Sequence, residues 1–104
     1  RIFAAVIQGI LNVIDHGMSL QQALEVPRIW TQFQYVEVEP GVPVSVRHSL
    51  RAKGHDIIEV PKVAGGMNGI MFHAESSLIS GAACWRSDGS PAGISGGPAK
   101  PTDI

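Results

Sequence analysis

The sequence predicts an α+β chain in which helices layer against antiparallel strands. Three observations carry this. Apolar residues recur at three- and four-residue spacing over 2–16. Short β-branched and aromatic runs follow, set off by Pro-Gly and Asp-Gly turns. A further helical stretch over 43–53, opened by Pro43 and stopped by Gly54, interrupts those runs.

In the first helix, 2–16, the residues Ile2, Phe3, Val6, Ile7, Ile10, Leu11, Val13 and Ile14 form a wide apolar face, opposite a narrow stripe of Gln8, Asn12 and Asp15. So broad a face is expected to be covered on most sides, and Gly9 lets a neighbour come close. Gly17 supplies a left-handed stop. Ser19 with Gln22 three residues on forms a capping box for a short helix over 20–25, which Pro27 ends by disfavouring helical geometry at Val26.

Arg28–Phe33 and Tyr35–Glu39 read as strands, the second with Val36 and Val38 alternating against Glu37 and Glu39. In the helix over 43–53, Val46 and Leu50 are expected to face inward at i, i+4 spacing. His55–Val60 reads as a strand with Ile58 and Val60 inward, and Ala64-Gly65-Gly66 as a flexible break. Gly69–Ala74 and Leu78–Trp85 read as an antiparallel pair, followed by a turn at Ser87-Asp88-Gly89-Ser90. Residues 1–92 therefore read as one domain, and 93–104 as a Gly/Pro-rich, extended and mobile tail.

With 104 residues the chain has room for one modest core. Its charged fraction, 16%, is low against a usual value of about 25%, so part of its surface is expected to be covered by other protein. The net charge is −1 and the eight basic residues are scattered, which argues against nucleic acid. No apolar run approaches a membrane span. The chain begins with Arg1 and not Met, so the lack of a leader carries no information. The single cysteine, Cys84, excludes an internal disulfide and any multi-cysteine metal site.

The candidates for chemistry each have a plainer explanation. Asp15 and His16 are adjacent on a helix and point about 100° apart, so they mark a helix end and not a base with its orienter. His48, His55 and His73 share no metal-ligand spacing. Cys84, in a strand beside Trp85, reads as a buried, inert thiol. Gly65-Gly66-Met67-Asn68-Gly69 lacks the Lys and Ser/Thr of a phosphate loop and reads as a flexible connector, with an anion-cradling ligand loop as the alternative. Ser76, Ser77, Ser87 and Ser90 sit in turns, where serine is expected, and no G-x-S-x-G elbow is present. On these grounds the chain holds no self-contained active site.

The ordered set NVIDHGMSLQQALEVPR, VEVEPGV, LRAKGHDI, GGMNGI and GAACWRSDGSPAG resembles the C-terminal part of the small subunit of γ-glutamyltranspeptidases, from Arg1 to about Gly97. The resemblance implies a piece of an N-terminal-nucleophile hydrolase with an αββα sandwich, made as a precursor that cleaves itself. It implies an N-terminal threonine that attacks the γ-glutamyl amide of glutathione or a related donor and passes the acyl group to water or an amine. It also implies a free α-amino group as general base and backbone N–H groups as oxyanion hole.

The family's nucleophile and its substrate-binding residues lie upstream of this chain, and its paired oxyanion glycines fall just before the position of Arg1. No catalytic, cofactor-binding or metal residue is therefore assigned within 1–104, and no cofactor is expected. The implied partners are the large subunit and the rest of the small subunit. Family members are often exported, which implies a periplasmic or extracellular setting. Where many members carry Asp-Pro-Arg, this chain has Cys84-Trp85-Arg86. Cephalosporin acylase-like relatives, which act on other acyl amides, share the pattern. Alone, the chain is expected to be inactive and to pair with itself through the first helix. A second functional class stays open, a stand-alone module that binds a small ligand through Gly65–Gly69.

Overall fold

The computed structural model describes residues 1–93, so the tail expected at 93–104 lies, but for Gly93, outside the described residues. The elements run α1 (Ile2–Ile14), α2 (Leu20–Glu25), β1 (Ile29–Gln32), β2 (Tyr35–Val38), α3 (Val44–Ala52), β3 (Asp56–Glu59), β4 (Asn68–His73) and β5 (Leu78–Ala83), closed by a 3₁₀ turn over Trp85–Ser87. Helices lie against strands in an α+β arrangement, as expected. One sheet has the order β1-β2-β3 and the other is the β4-β5 hairpin. Both hairpins are antiparallel, but β2 and β3 pair in parallel, with α3 as the connection that a parallel pair needs.

The helix ends follow their local chemistry. α1 stops at Ile14, two residues short of the expected end at 16. The Asp15 N–H donates to Leu11 O and the Met18 N–H to Asn12 O, wrapping the last turn around Gly17 at φ +63°. α2 carries the full capping box: Gln22 N–H donates to Ser19 Oγ at 3.2 Å, and Ser19 N–H to Gln22 Oε1 at 3.1 Å. α3 begins one residue later than expected, because Pro43 is its N-cap, and ends one residue earlier, with Lys53 as its C-cap.

The faces of α1 are the reverse of the expectation. Only Ala5 and Gly9 of α1 are buried, while Ile2, Phe3, Val6, Ile7, Ile10, Leu11 and Ile14 are exposed. The polar stripe does the docking. The Gln8 amide donates to Ile29 O at 2.8 Å and accepts from Ile29 N–H at 3.0 Å, so it completes the edge of β1. Asn12 Nδ2 donates to Ala23 O on α2 at 3.1 Å. Gly9 is where α1 crosses Met67, as its lack of a side chain anticipates: a Cβ there would stand 3.2 Å from Met67 Sδ.

Two small apolar clusters result. Leu24, Ala82 and Cys84 pack with Leu20 and Met67, and Val36, Val38 and Val42 pack with Ile57. Ile57, not Ile58, turns inward, because β3 pairs Val36 with Ile57; a one-residue offset exchanges the two faces of a strand. Val46 is exposed, and Leu50 is half-buried. Arg47 takes the interior role on α3, donating from Nε to Val42 O and from Nη2 to Glu39 O and Pro40 O, and pairing with Glu59 at 2.7 Å. In β4 and β5 the apolar Ile70, Phe72, Leu78 and Ile79 are also exposed.

Candidate functional site

Between the two apolar clusters lies a buried polar node, built by β2, the α2–β1 link and the turn after β5. Glu39 follows β2 and is 1% exposed. Its carboxylate accepts from the backbone N–H of Arg28 and of Val63 and from both Nε and Nη2 of Arg86. Arg86, 4% exposed, also donates to the carbonyls of Leu24 and Val26. Those carbonyls end the short helix α2 and have no partner within it. The Arg86 guanidinium lies 4.6 Å from the centre of the Trp85 ring, whose Nε1 donates to Glu25 O.

Arg28 completes the node. Its Nη1 donates to Val63 O at 3.0 Å and Gly65 O at 2.9 Å, and its Nη2 lies 3.6 Å from Cys84 Sγ. Burial alone would raise the Glu39 carboxyl, but the donors from Arg86, Val63 and Arg28 outweigh it and hold it below the usual carboxylate range. Burial would likewise raise the Cys84 thiol; the Met67 and Arg86 N–H groups and the nearby guanidiniums lower it instead. Arg28 is lowered by burial and by its neighbour Arg86, whereas for Arg86 the pairing with Glu39 outweighs burial. Every lone pair of Glu39 is thus engaged, and Cys84 is 2% exposed. The node is suited to holding two sheets and a helix end in register; neither group is open to a substrate.

A second polar site opens at the start of α1. Arg1 pairs with Glu37 at 2.8 Å. Together with Trp30, Gln32, Phe33, Gln34 and Tyr35 they line a cleft of about 370 Å³. Phe33, at the tip of the β1–β2 turn, has φ +69° and is fully open to solvent. The first turn of α1 has neither a side-chain cap nor an acidic residue, so its N–H groups remain available to negative charge.

Apart from Cys84 and Gly65, which border the buried node through Arg28, the residues that the sequence singled out fall outside both sites. Asp15 and His16 lie exposed at the end of α1. His73 Nε2 is 2.6 Å from Ser80 Oγ across the β4–β5 hairpin, and no cluster of metal-ligating side chains occurs among the described residues. Cys84 is buried, as expected, but it follows β5 instead of lying in it. The Gly65–Gly69 stretch, expected to be a flexible connector or a ligand loop, is anchored from within: Gly66 N–H donates to Ser87 Oγ and Met67 N–H to Cys84 Sγ.

Sequence reasoning missed Arg28, Trp30, Glu37, Glu39 and Arg86 as site residues. The expected alternation put both glutamates of VEVE outside, whereas all of Val36–Glu39 is buried, because β2 is the central strand with protein on both faces. The usable signal was the pair of arginines that partner those carboxylates, Arg1 at the start of α1 for Glu37 and Arg86 after β5 for Glu39.

The arrangement of helix, capped second helix and two sheets has known counterparts. Residues 1–94 match the family model described as gamma-glutamyltranspeptidase. This chain belongs to the γ-glutamyltranspeptidase family. It is 52% identical over 100 residues to the acylase ACY 1 proenzyme of Pseudomonas sp. (strain V22), covering 96% of this chain and 18% of that protein. It is 34% identical over 94 residues to the glutathione hydrolase proenzyme of Bacillus subtilis (strain 168), covering 89% of this chain and 16% of that protein. Among solved structures, the cephalosporin acylase from Bacillus halodurans superposes with a TM-score of 0.79 at 31% identity, over 89% of this chain and 18% of that one. The chain thus spans less than a fifth of the length of these relatives.

Proposed function

We propose that the full-length protein hydrolyses or transfers the acyl group of an amide through an N-terminal threonine outside this chain, and that this segment positions the machinery. The observation that carries the reading is the 52% identity to an acylase proenzyme across nearly the whole chain. Identity to a glutathione hydrolase proenzyme is lower, 34%, so the acyl amide of an acylase is favoured as donor over a γ-glutamyl amide; the likeness to a cephalosporin acylase, at 31% identity, makes an acylated cephalosporin the candidate to try first. In the chemistry that the family resemblance implies, the threonine hydroxyl attacks the amide carbonyl, and the α-amino group takes its proton and returns it to the departing amine. Water or an amine then releases the acyl group from the ester.

The part of this chain nearest that chemistry is the start of α1. With the oxyanion glycines just before Arg1, the uncapped first turn of α1 adds a favourable dipole to the negative charge that develops on the carbonyl oxygen. The buried node supports the same role by holding β1 and β2, and through Gln8 the helix itself, in place.

The test compares the processed full-length enzyme with the 104-residue chain. Both are offered γ-glutamyl-p-nitroanilide and an acylated cephalosporin, and release of p-nitroaniline or of the free amino-cephalosporin is followed. Turnover is expected from the full-length enzyme alone, faster on the cephalosporin. Turnover by the 104-residue chain, or by a full-length variant whose N-terminal threonine is replaced by alanine, would refute the assignment.

A further inference from the structure

The hairpin β1–β2 sets Trp30 directly opposite Glu37 and Gln32 opposite Tyr35, so these four side chains stand on one face of the sheet. Arg1 closes the face at the end where α1 begins. Two polar atoms of this cleft are buried with no hydrogen-bond partner among the described residues. Trp30 Nε1 can only donate, and Glu37 Oε2 can only accept. Glu37 is 6% exposed, and its other oxygen is held by Arg1. Buried orphans of this kind are rare in folded proteins, and here a donor and an acceptor stand as cross-strand neighbours.

A donor beside an acceptor is the complement of one extended residue, which presents its N–H and C=O to the same side. The same match already occurs nearby, where the Gln8 amide takes both the N–H and the C=O of Ile29. The stretch of chain placed to supply such a residue is the one that leads into α1. Arg1, the N-cap of α1, itself lines the cleft, and the relatives are proenzymes of which this chain spans only 16–18%.

We propose that, in the full-length precursor, a residue just before Arg1 lies extended in this cleft, its N–H donating to Glu37 Oε2 and its C=O accepting from Trp30 Nε1. Trp30 and Glu37 are then positioning residues for the stretch that enters α1. The effect on catalysis rests on the function proposed above, in which that stretch carries the oxyanion donors; the seating itself does not.

Hydrogen exchange, read by mass spectrometry on the full-length protein, separates the two. W30F removes the donor and E37Q sets an amide where a carboxylate stood. Each is expected to speed exchange in the peptide that ends at Arg1 by about tenfold, while the peptide 2–14 keeps its protection. On the cephalosporin substrate, kcat is expected to fall with KM little changed. Faster exchange with kcat intact supports the seating and removes the catalytic consequence. Unchanged exchange in both variants overturns the seating whatever kcat does, and a rise in KM alone would assign the cleft to substrate instead. A crystal structure of the unsubstituted precursor decides the matter even if the variants fold poorly. A main-chain N–H on Glu37 and a main-chain carbonyl on Trp30 support the seating; a water, an ion or a side chain in their place overturns it.

Discussion

Replacing Glu39 by alanine is expected to remove about a third or more of the stability of this chain. The substitution leaves the Arg86 guanidinium, 4% exposed, without its counter-charge. It also strips the acceptor from the buried N–H groups of Arg28 and Val63. Breaking a buried pair from one side costs about 3–5 kcal/mol, and each orphaned N–H adds on the order of 1 kcal/mol or more. The sum, about 5 kcal/mol, compares with a total of roughly 5–15 kcal/mol for a chain of this size. Removing both charges together, as E39M with R86M, should cost less than the two single changes added, by about 2 kcal/mol or more, because no charge is then stranded. Urea titration at low micromolar concentration, followed by far-UV circular dichroism, measures each variant. A loss under about 1 kcal/mol for E39A, or a double variant additive within about 0.5 kcal/mol, would sink the argument that this node holds the sheets together.

Two further outcomes follow from the same geometry. The Glu39 carboxyl is held below its unfolded value by the donors around it. Its contribution is therefore complete above about pH 4.3 and disappears as the pH falls through the lowered folded value; acid titration of E39Q by circular dichroism should show a flatter acid limb, and an unchanged limb would count against it. The open apolar side of α1, with Ile7 and Ile10 each about half exposed, should make the isolated chain associate with itself. Light scattering should report a mass above the monomer that drops in I7E/I10E, and a strict monomer at high concentration would contradict this.

Where the physics is local, the reading from sequence held. The Ser19–Gln22 capping box, the left-handed stop at Gly17 and the β4–β5 hairpin depend on a few adjacent residues and stand where expected. Where the outcome depends on what lies across the fold, it failed. Glu37 and Glu39 follow the alternation of a half-exposed strand, yet both are buried, because Arg1 and Arg86, 36 and 47 residues away, bring compensating charge. The inward turn of Ile57 in place of Ile58 comes from its register with Val36.

α1 separates the two kinds of information most clearly. Its composition alone determined that a helix would form and that most of its surface would seek cover, since apolar periodicity is written along one segment. The segment cannot say which side meets which neighbour. In the structure Gln8 and Asn12 face the chain's own β1 and α2, and the apolar side is left open. That orientation is decided only when β1 presents a free N–H and C=O at its edge and α2 presents a free carbonyl, all of which require polar partners. Tertiary structure alone, for the same reason, decided that the chemically informative groups are the buried charges and the two atoms, Trp30 Nε1 and Glu37 Oε2, that find no partner among the described residues: a hydrogen bond between distant residues is a property of the folded chain and leaves no period in the sequence.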